Sequence, residues 1–395
     1  MKRYIILTAS LVALSAMAQS PIDNVLHTIA ENNPSIKATQ QEVTAAQTEL
    51  SAGNSLENPT VEFEYLWADE NHIPGGVKYS FGITQGFDFP TQYVQRRKLI
   101  NAQNALGCSQ ISDARRNILL EARNLCIKIV YLNKQIKSVE ERVSMAKKVE
   151  ELYKVSLKTG EANRLEYNKA VLSHLSLSSE LKMLYSERDA ARNMLTALNG
   201  GVELSNDLAA FNAYPEMAMP QSLDAAIDEW KEKNTATRLL RDQQLVAESF
   251  SSVAKEGWIP GFEVGYRQAY ELGDMFYGLS VGISLPLFKT SNEVKSAKAR
   301  ALSAAFQVED NTYRIMAEAT QLYNETVVLG EALKEYDAFD FSDNRKMLFT
   351  ALTSGQISLL EYMSDIATLN EAEEGRLLIE YQYYTSLSNL SSNNL

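Results

Sequence analysis

Apolar and polar residues alternate strictly in two regions of the chain. Val61, Phe63, Tyr65 and Trp67 are interleaved with Thr60, Glu62 and Glu64, and Tyr79, Phe81, Ile83, Phe87 and Phe89 with Lys78, Ser80, Gly82, Thr84, Gly86 and Asp88. A period of two puts the aromatics on one face of a β-strand and the small or charged residues on the other. The pattern returns with Phe262, Val264 and Tyr266 against Glu263, Gly265 and Arg267, then Tyr277, Leu279, Val281, Ile283 and Leu285 against Gly278, Ser280, Gly282 and Ser284. Two hairpins are predicted, within 59–90 and 260–288.

The rest of the chain carries the longer period of helices. From Thr91 to about Lys158 there is no proline, and Ala122, Leu125, Ile129, Leu132, Ile136, Val139, Val143 and Ala146 advance by threes and fours. That is the heptad of a coiled coil. At about 1.5 Å per residue this helix would run on the order of 100 Å. Gly160 interrupts it, and a second helix extends to Asn199-Gly200-Gly201. Asn292 to about Thr353 reads as another long helix. Pro21 to about Leu56, Gln221 to Gly257, and Ile357 to about Leu387 read as shorter ones.

Long and short helices alternate because the plan is stated twice. Pro59 returns as Pro260, a shift of 201 (260 − 59), and Gly160 as Gly355, a shift of 195 (355 − 160). Leu165-Glu166-Tyr167 likewise returns as Leu360-Glu361-Tyr362. Residues 19–201 form the first repeat, 202–220 an irregular equatorial linker with Pro215, and 221–395 the second repeat. Two short helices end to end match one long helix in length, so each chain offers four columns.

Composition narrows the function. Lys2 and Arg3, an apolar run to Leu14 and Ala16-Met17-Ala18 read as a cleavable export signal over residues 1–18. No cysteine follows the cleavage point, so a lipid anchor there is not expected. No later stretch approaches 18 apolar residues, which leaves a barrel as the way into a membrane. Four strands are too few to close one, and three copies would pool twelve. A net charge of −12 disfavours nucleic acid. Cys108 and Cys126, about 27 Å apart on one helix, cannot bridge. The histidines are His27, His72 and His174, and no phosphate loop, CxxC or HExxH occurs. No catalytic site, cofactor or metal is expected, and His72 beside Asp69 and Glu70 reads as an exposed loop.

Asn33-Pro34, Asn58-Pro59, Phe89-Pro90, Leu285-Pro286-Leu287-Phe288 and the segments ending at Gly160 and Gly355, in this order and in both repeats, resemble the TolC-type outer-membrane efflux proteins. The compact length looks like the heavy-metal branch. The chain departs from the family pattern in lacking the lipidation cysteine and in having Trp258-Ile259-Pro260 for an Asn-Pro. The resemblance implies a mainly α fold with a β-barrel: a homotrimer with a twelve-stranded barrel in the outer membrane and a helical tunnel in the periplasm. It further implies a passive exit duct, opened by a periplasmic adaptor and driven by an inner-membrane pump.

Carried over residue by residue, the resemblance makes Leu157, Thr159, Gly160 and Glu161, with Leu352, Ser354, Gly355 and Gln356, adaptor contacts. Glu361 and Asp365, one helical turn apart, with Glu166 in the first repeat, become an acidic ring at the periplasmic gate, whose mutual repulsion would raise their pKa values. Two other functions fit the same residues: the exit duct of a type I secretion system, and a periplasmic coiled-coil protein that never enters a bilayer.

Overall fold

A computed structural model describes residues 21–67, 76–204, 211–271, 273–286, 290–336 and 338–395. The expected leader, the loop with His72, and Leu287-Phe288 lie outside these residues. The elements run α1 (Pro21–Asn32), α2 (Pro34–Ala52), β1 (Thr60–Trp67), β2 (Val77–Phe87), α3 (Pro90–Thr159), α4 (Arg164–Leu198), α5 (Leu223–Lys233), α6 (Thr235–Glu256), β3 (Gly261–Glu271), β4 (Asp274–Ser284), α7 (Thr290–Tyr336), α8 (Phe341–Thr353) and α9 (Leu359–Leu390). No helix among the described residues is long and apolar enough to cross a membrane.

Three helices read as continuous are divided. Asn33 is non-helical between α1 and α2, because the ring of Pro34 disfavours helical geometry in the residue before it. Asn234 divides the equivalent helix of the second repeat by a different device. It adopts an extended conformation (φ −61°, ψ 119°), and its side chain accepts from the Thr237 amide at 3.0 Å. The expected long helix from Asn292 to Thr353 is also two helices, α7 and α8. There Asp340 caps α8 by accepting from the Asp343 amide at 2.9 Å, while Phe341 packs on Phe339 with ring centres 4.8 Å apart. Neither proline nor glycine marks this break, so the sequence pattern runs through it.

The chain divides into two compact units, each drawing on both halves of the sequence. One unit gathers Met1–Pro34, Ile118–Met219 and Leu322–Ser392. Its core contains the predicted heptad: Ala122, Ile129, Leu132, Ile136, Val139 and Ala146 are buried, joined by Ile127 and Val130. Cys126 is fully buried, which pushes its thiol up to about 12. Asn199, also buried, accepts from Asn32 at 3.1 Å and donates to the Val202 carbonyl at 2.8 Å. These bonds pin the Gly200-Gly201 turn, where both glycines have positive φ.

The second unit gathers Ser35–Asn117, Pro220–Gln321 and Asn393–Leu395. It carries a single antiparallel sheet in the order β1-β2-β3-β4. Where α6 ends near the sheet, Thr91 donates to Glu256 at 2.6 Å, Gln92 to the Ile259 carbonyl at 3.1 Å, and Arg96 pairs with Asp88 at 2.5 Å.

Candidate functional site

Strand register turns the alternation into a surface. Val61, Ile83, Tyr266 and Leu279 are cross-strand neighbours in one row; Phe63, Phe81, Gln268 and Tyr277 form the next; Tyr65, Tyr79, Tyr270 and Met275 the third. All point to one side, continued by Val264–Val281 and by Phe87–Phe262–Ile283. Tyr79 and Tyr270 stack at 4.9 Å between ring centres. This apolar side is bare: Leu279 is 83% and Trp67 78% exposed. An apolar patch spread across four strands is far larger than a soluble surface normally leaves uncovered.

The other side is polar and small. Thr60, Thr84, Gly265 and Ser280 form one row, and Glu62, Gly82, Arg267 and Gly278 another. Arg267 approaches Glu62 at 3.5 Å, and Lys78 pairs with Glu271 at 3.1 Å. The alternation is imperfect: Gln85 and Gln268 fall on the apolar side, Leu66 and Phe276 on the polar one. β2, β3 and β4 have 11 residues each, the length a tilted strand needs to cross a bilayer core. β1 and β4 each leave one edge without a partner in the sheet.

The two glycine turns lie in the first unit and share one apolar cluster. Val149 of α3, Ala170 of α4, Leu352 of α8, and Leu359 and Tyr362 of α9 form its buried centre. Gly160 (φ 82°) and Gly355 (φ 73°) occupy the left-handed region that ends each preceding helix. Glu161 and Gln356 then donate their amides back to Ser156 and Ala351, each at 2.9 Å. A side chain on either glycine would meet no other atom, so its cost is backbone strain alone. Gly160→Ala and Gly355→Ala are each expected to lose roughly 1–2 kcal/mol in thermal denaturation, and unchanged melting would contradict that.

The acidic residues at these turns have a local role that the sequence reading missed. Asn163 and Ser358 cap α4 and α9, and each cap amide donates to the carboxylate three residues on, Glu166 or Glu361, at 2.8 Å. Both are capping boxes. Within one subunit, hydrogen bonds from the backbone and hydroxyl of Ser358 hold Glu361 below the usual carboxylate value. Asp365 is exposed one turn further along α9.

The adaptor candidates divide by exposure. Thr159, Gly160, Glu161, Ser354, Gly355 and Gln356 are exposed and Leu157 is half-buried, but Leu352 is 5% exposed, inside the cluster. Its side chain packs in the core that the two turns share. Leu165 and Leu360, 67% and 65% exposed, occupy equivalent second positions of α4 and α9 and were not singled out. Their signal was the repeated Leu-Glu-Tyr.

No protein-family profile matches the chain, and no characterised protein matches it by sequence. Solved structures do match. The fold is similar to that of a membrane protein from Pseudomonas aeruginosa (TM-score 0.78, 15% identity), over 94% of this chain and 89% of that one. It is similar to the outer-membrane channel OprN (TM-score 0.77, 13% identity), again over 94% and 89%. It also matches the outer membrane protein VceC of Vibrio cholerae (TM-score 0.76, 14% identity), over 94% and 95%. At such identities the likeness establishes the fold, a mainly helical chain with a four-stranded antiparallel sheet of the TolC type. Scores this close to one another single out no branch, and the expected lean toward heavy-metal efflux gains no specific support.

Proposed function

We propose that this chain is one subunit of an outer-membrane exit duct, a passive conduit of a tripartite efflux system. The observation that carries the reading is the sheet: one contiguous apolar side that nothing among the described residues covers, one polar side, and two open edges. In water such a sheet exposes a large hydrophobic patch, and in lipid alone it would leave edge amides unpaired. Both problems are solved when β1 of one copy pairs with β4 of the next. Three copies close twelve strands, with aromatics toward lipid and small polar residues toward a wet lumen.

On this reading the two halves of the sequence, joined through 202–220, supply one hairpin each. The exposed turn residues Thr159, Gly160, Glu161, Ser354, Gly355 and Gln356 receive a periplasmic adaptor, an inner-membrane pump supplies the energy, and that pump sets whether a metal cation or a drug is carried. Glu361 and Asp365, with Glu166, ring the periplasmic mouth and favour cations. A periplasmic protein outside any bilayer gives the bare aromatic face no covering.

Conductance in planar bilayers tests duct and ring together. Wild type is expected to form cation-preferring pores, and the Glu361→Gln, Asp365→Asn double variant to form pores with that preference reduced. Glutamine at 361 can still accept the Ser358 amide, so the cap survives while the charge goes. Absence of pores would contradict the duct, and unchanged ion preference would contradict the ring.

A further inference from the structure

β2 leads into α3, α6 into β3 and β4 into α7, so three helices meet the sheet at one end. Near that end stand Arg97 and Lys98 on α3, Lys255 on α6, and Lys295 and Lys298 on α7, all exposed. At about 1.5 Å per residue, each lies within about 12 Å of the helix end nearest the sheet. The chain carries a net charge of −12, yet acids are sparse on these turns. α3 has none before Asp113, and after Glu293 α7 has none before Glu309. On α6, Glu256 accepts from Thr91 and Glu248 stands two turns further off. The ion pairs described in this unit leave all five cations out.

Helical geometry decides which side they take. Gly86, Asp88 and Glu263 of the polar sheet side line a groove together with Gln92 and Gly257. Gln92 and Gly257 also line the next groove along the helices, with Arg96, Ala254, Ser296 and Arg300. The polar side of the sheet therefore continues along this face of α3, α6 and α7. At about 100° per residue, the five cations stand about 120–180° around their helices from those lining residues. They share the side of the sheet's aromatics and border it at one end. Trp258, 53% exposed, sits at the same border between α6 and β3.

We propose that Arg97, Lys98, Lys255, Lys295 and Lys298 form a collar that binds the headgroups of anionic phospholipids in the leaflet nearest the helices. The inference rests on the duct reading, in which the aromatic side meets lipid, and names the lipid met at its border. Continuity and charge select this occupant. A leaflet's phosphates begin where its hydrocarbon ends, and long Lys and Arg side chains reach them while their stems stay against apolar surface. A zwitterionic headgroup neutralises its own phosphate, whereas an anionic one leaves a charge for the collar. One lysine near an anionic surface shifts binding by about fivefold. Trp258 stands at headgroup level, where an indole suits both apolar and wet surroundings.

The probes are phosphatidylglycerol and phosphatidylcholine brominated near the headgroup, in liposomes holding the full chain with Trp67→Phe. Trp230 is 2% exposed, so contact quenching reports Trp258. At equal mole fraction, brominated phosphatidylglycerol is expected to quench about fivefold more effectively than brominated phosphatidylcholine. That preference should shrink in 1 M salt, where the screening length falls to about 3 Å. Replacing all five cations by glutamine should bring it close to one while phosphatidylcholine still quenches. Equal quenching by the two lipids, a preference that survives 1 M salt, or one kept in the glutamine variant would overturn the collar and leave the duct reading standing. Quenching by neither lipid would overturn both.

Discussion

Glu373→Ala is expected to cost the unit that bears the turns about 3 kcal/mol, the low end of the penalty for breaking a buried ion pair, because Glu374 and Glu141 still face the two guanidinium groups from the solvent side. The Glu373 Oε2 accepts from Ser138 at 2.5 Å, from Arg142 at 3.0 Å and from Arg345. Truncation removes the one acceptor shared by α3 and α8 while both guanidinium groups stay buried. Hydrogen exchange read locally in α3, α8 and α9 should report the loss, because global melting averages over two units. Protection equal to wild type would contradict the account.

The same network sets an acid limit. Burial pushes the Glu373 carboxyl up, but hydrogen bonds from Ser138 and Arg142 and the charges of Arg345 and Arg142 outweigh it and hold its pKa below the ordinary carboxylate value. A depressed folded value means that its contribution is fully present above the unfolded carboxylate range, whose reference is 4.5, and is lost as pH falls through the lower folded value. Exchange protection of α8 should therefore decline in that acid window in wild type. In Glu373→Gln the decline should be absent.

The second large effect belongs to the sheet. Leu279→Arg places a charge on the bare apolar side, and on the proposed barrel it is expected to cost about 2–4 kcal/mol per subunit near the bilayer midplane. In a closed ring of three the charge recurs three times, so assembly into liposomes should fail. Gly278→Glu, one residue away, lands on the polar side opposite Arg267, where an added Cβ meets no atom within 4 Å. That variant should assemble as wild type. Equal assembly of both variants would mean that the apolar face does not meet lipid.

What was legible in the sequence follows from which forces are local. Period-two alternation located all four strands, because the two environments of a sheet must be written residue by residue. Gly160 and Gly355 marked their turns because a left-handed residue is a local demand. The division at Asn33 was written in Asn33-Pro34 and passed over. Those at Asn234 and before Phe341 rest on side-chain caps and aromatic packing with no proline or glycine to flag them. The heptad of α3 gave the buried stripe but not Arg142, whose partners Glu373 and Glu374 lie more than 230 residues on. A buried arginine and a solvated one look alike in a helical pattern. Glu361 was legible as an acid near a turn, while its cap role required seeing Ser358 begin α9.

The central claim is that one face of the sheet meets lipid and the other water. Spin labels placed singly from Met275 to Ser284 along β4, with protein reconstituted in liposomes, measure it through contact with oxygen dissolved in lipid against a water-soluble relaxant. The account predicts a period of two, with 275, 277, 279, 281 and 283 reached from lipid and 276, 278, 280, 282 and 284 from water. Water access without alternation along the whole strand would contradict it.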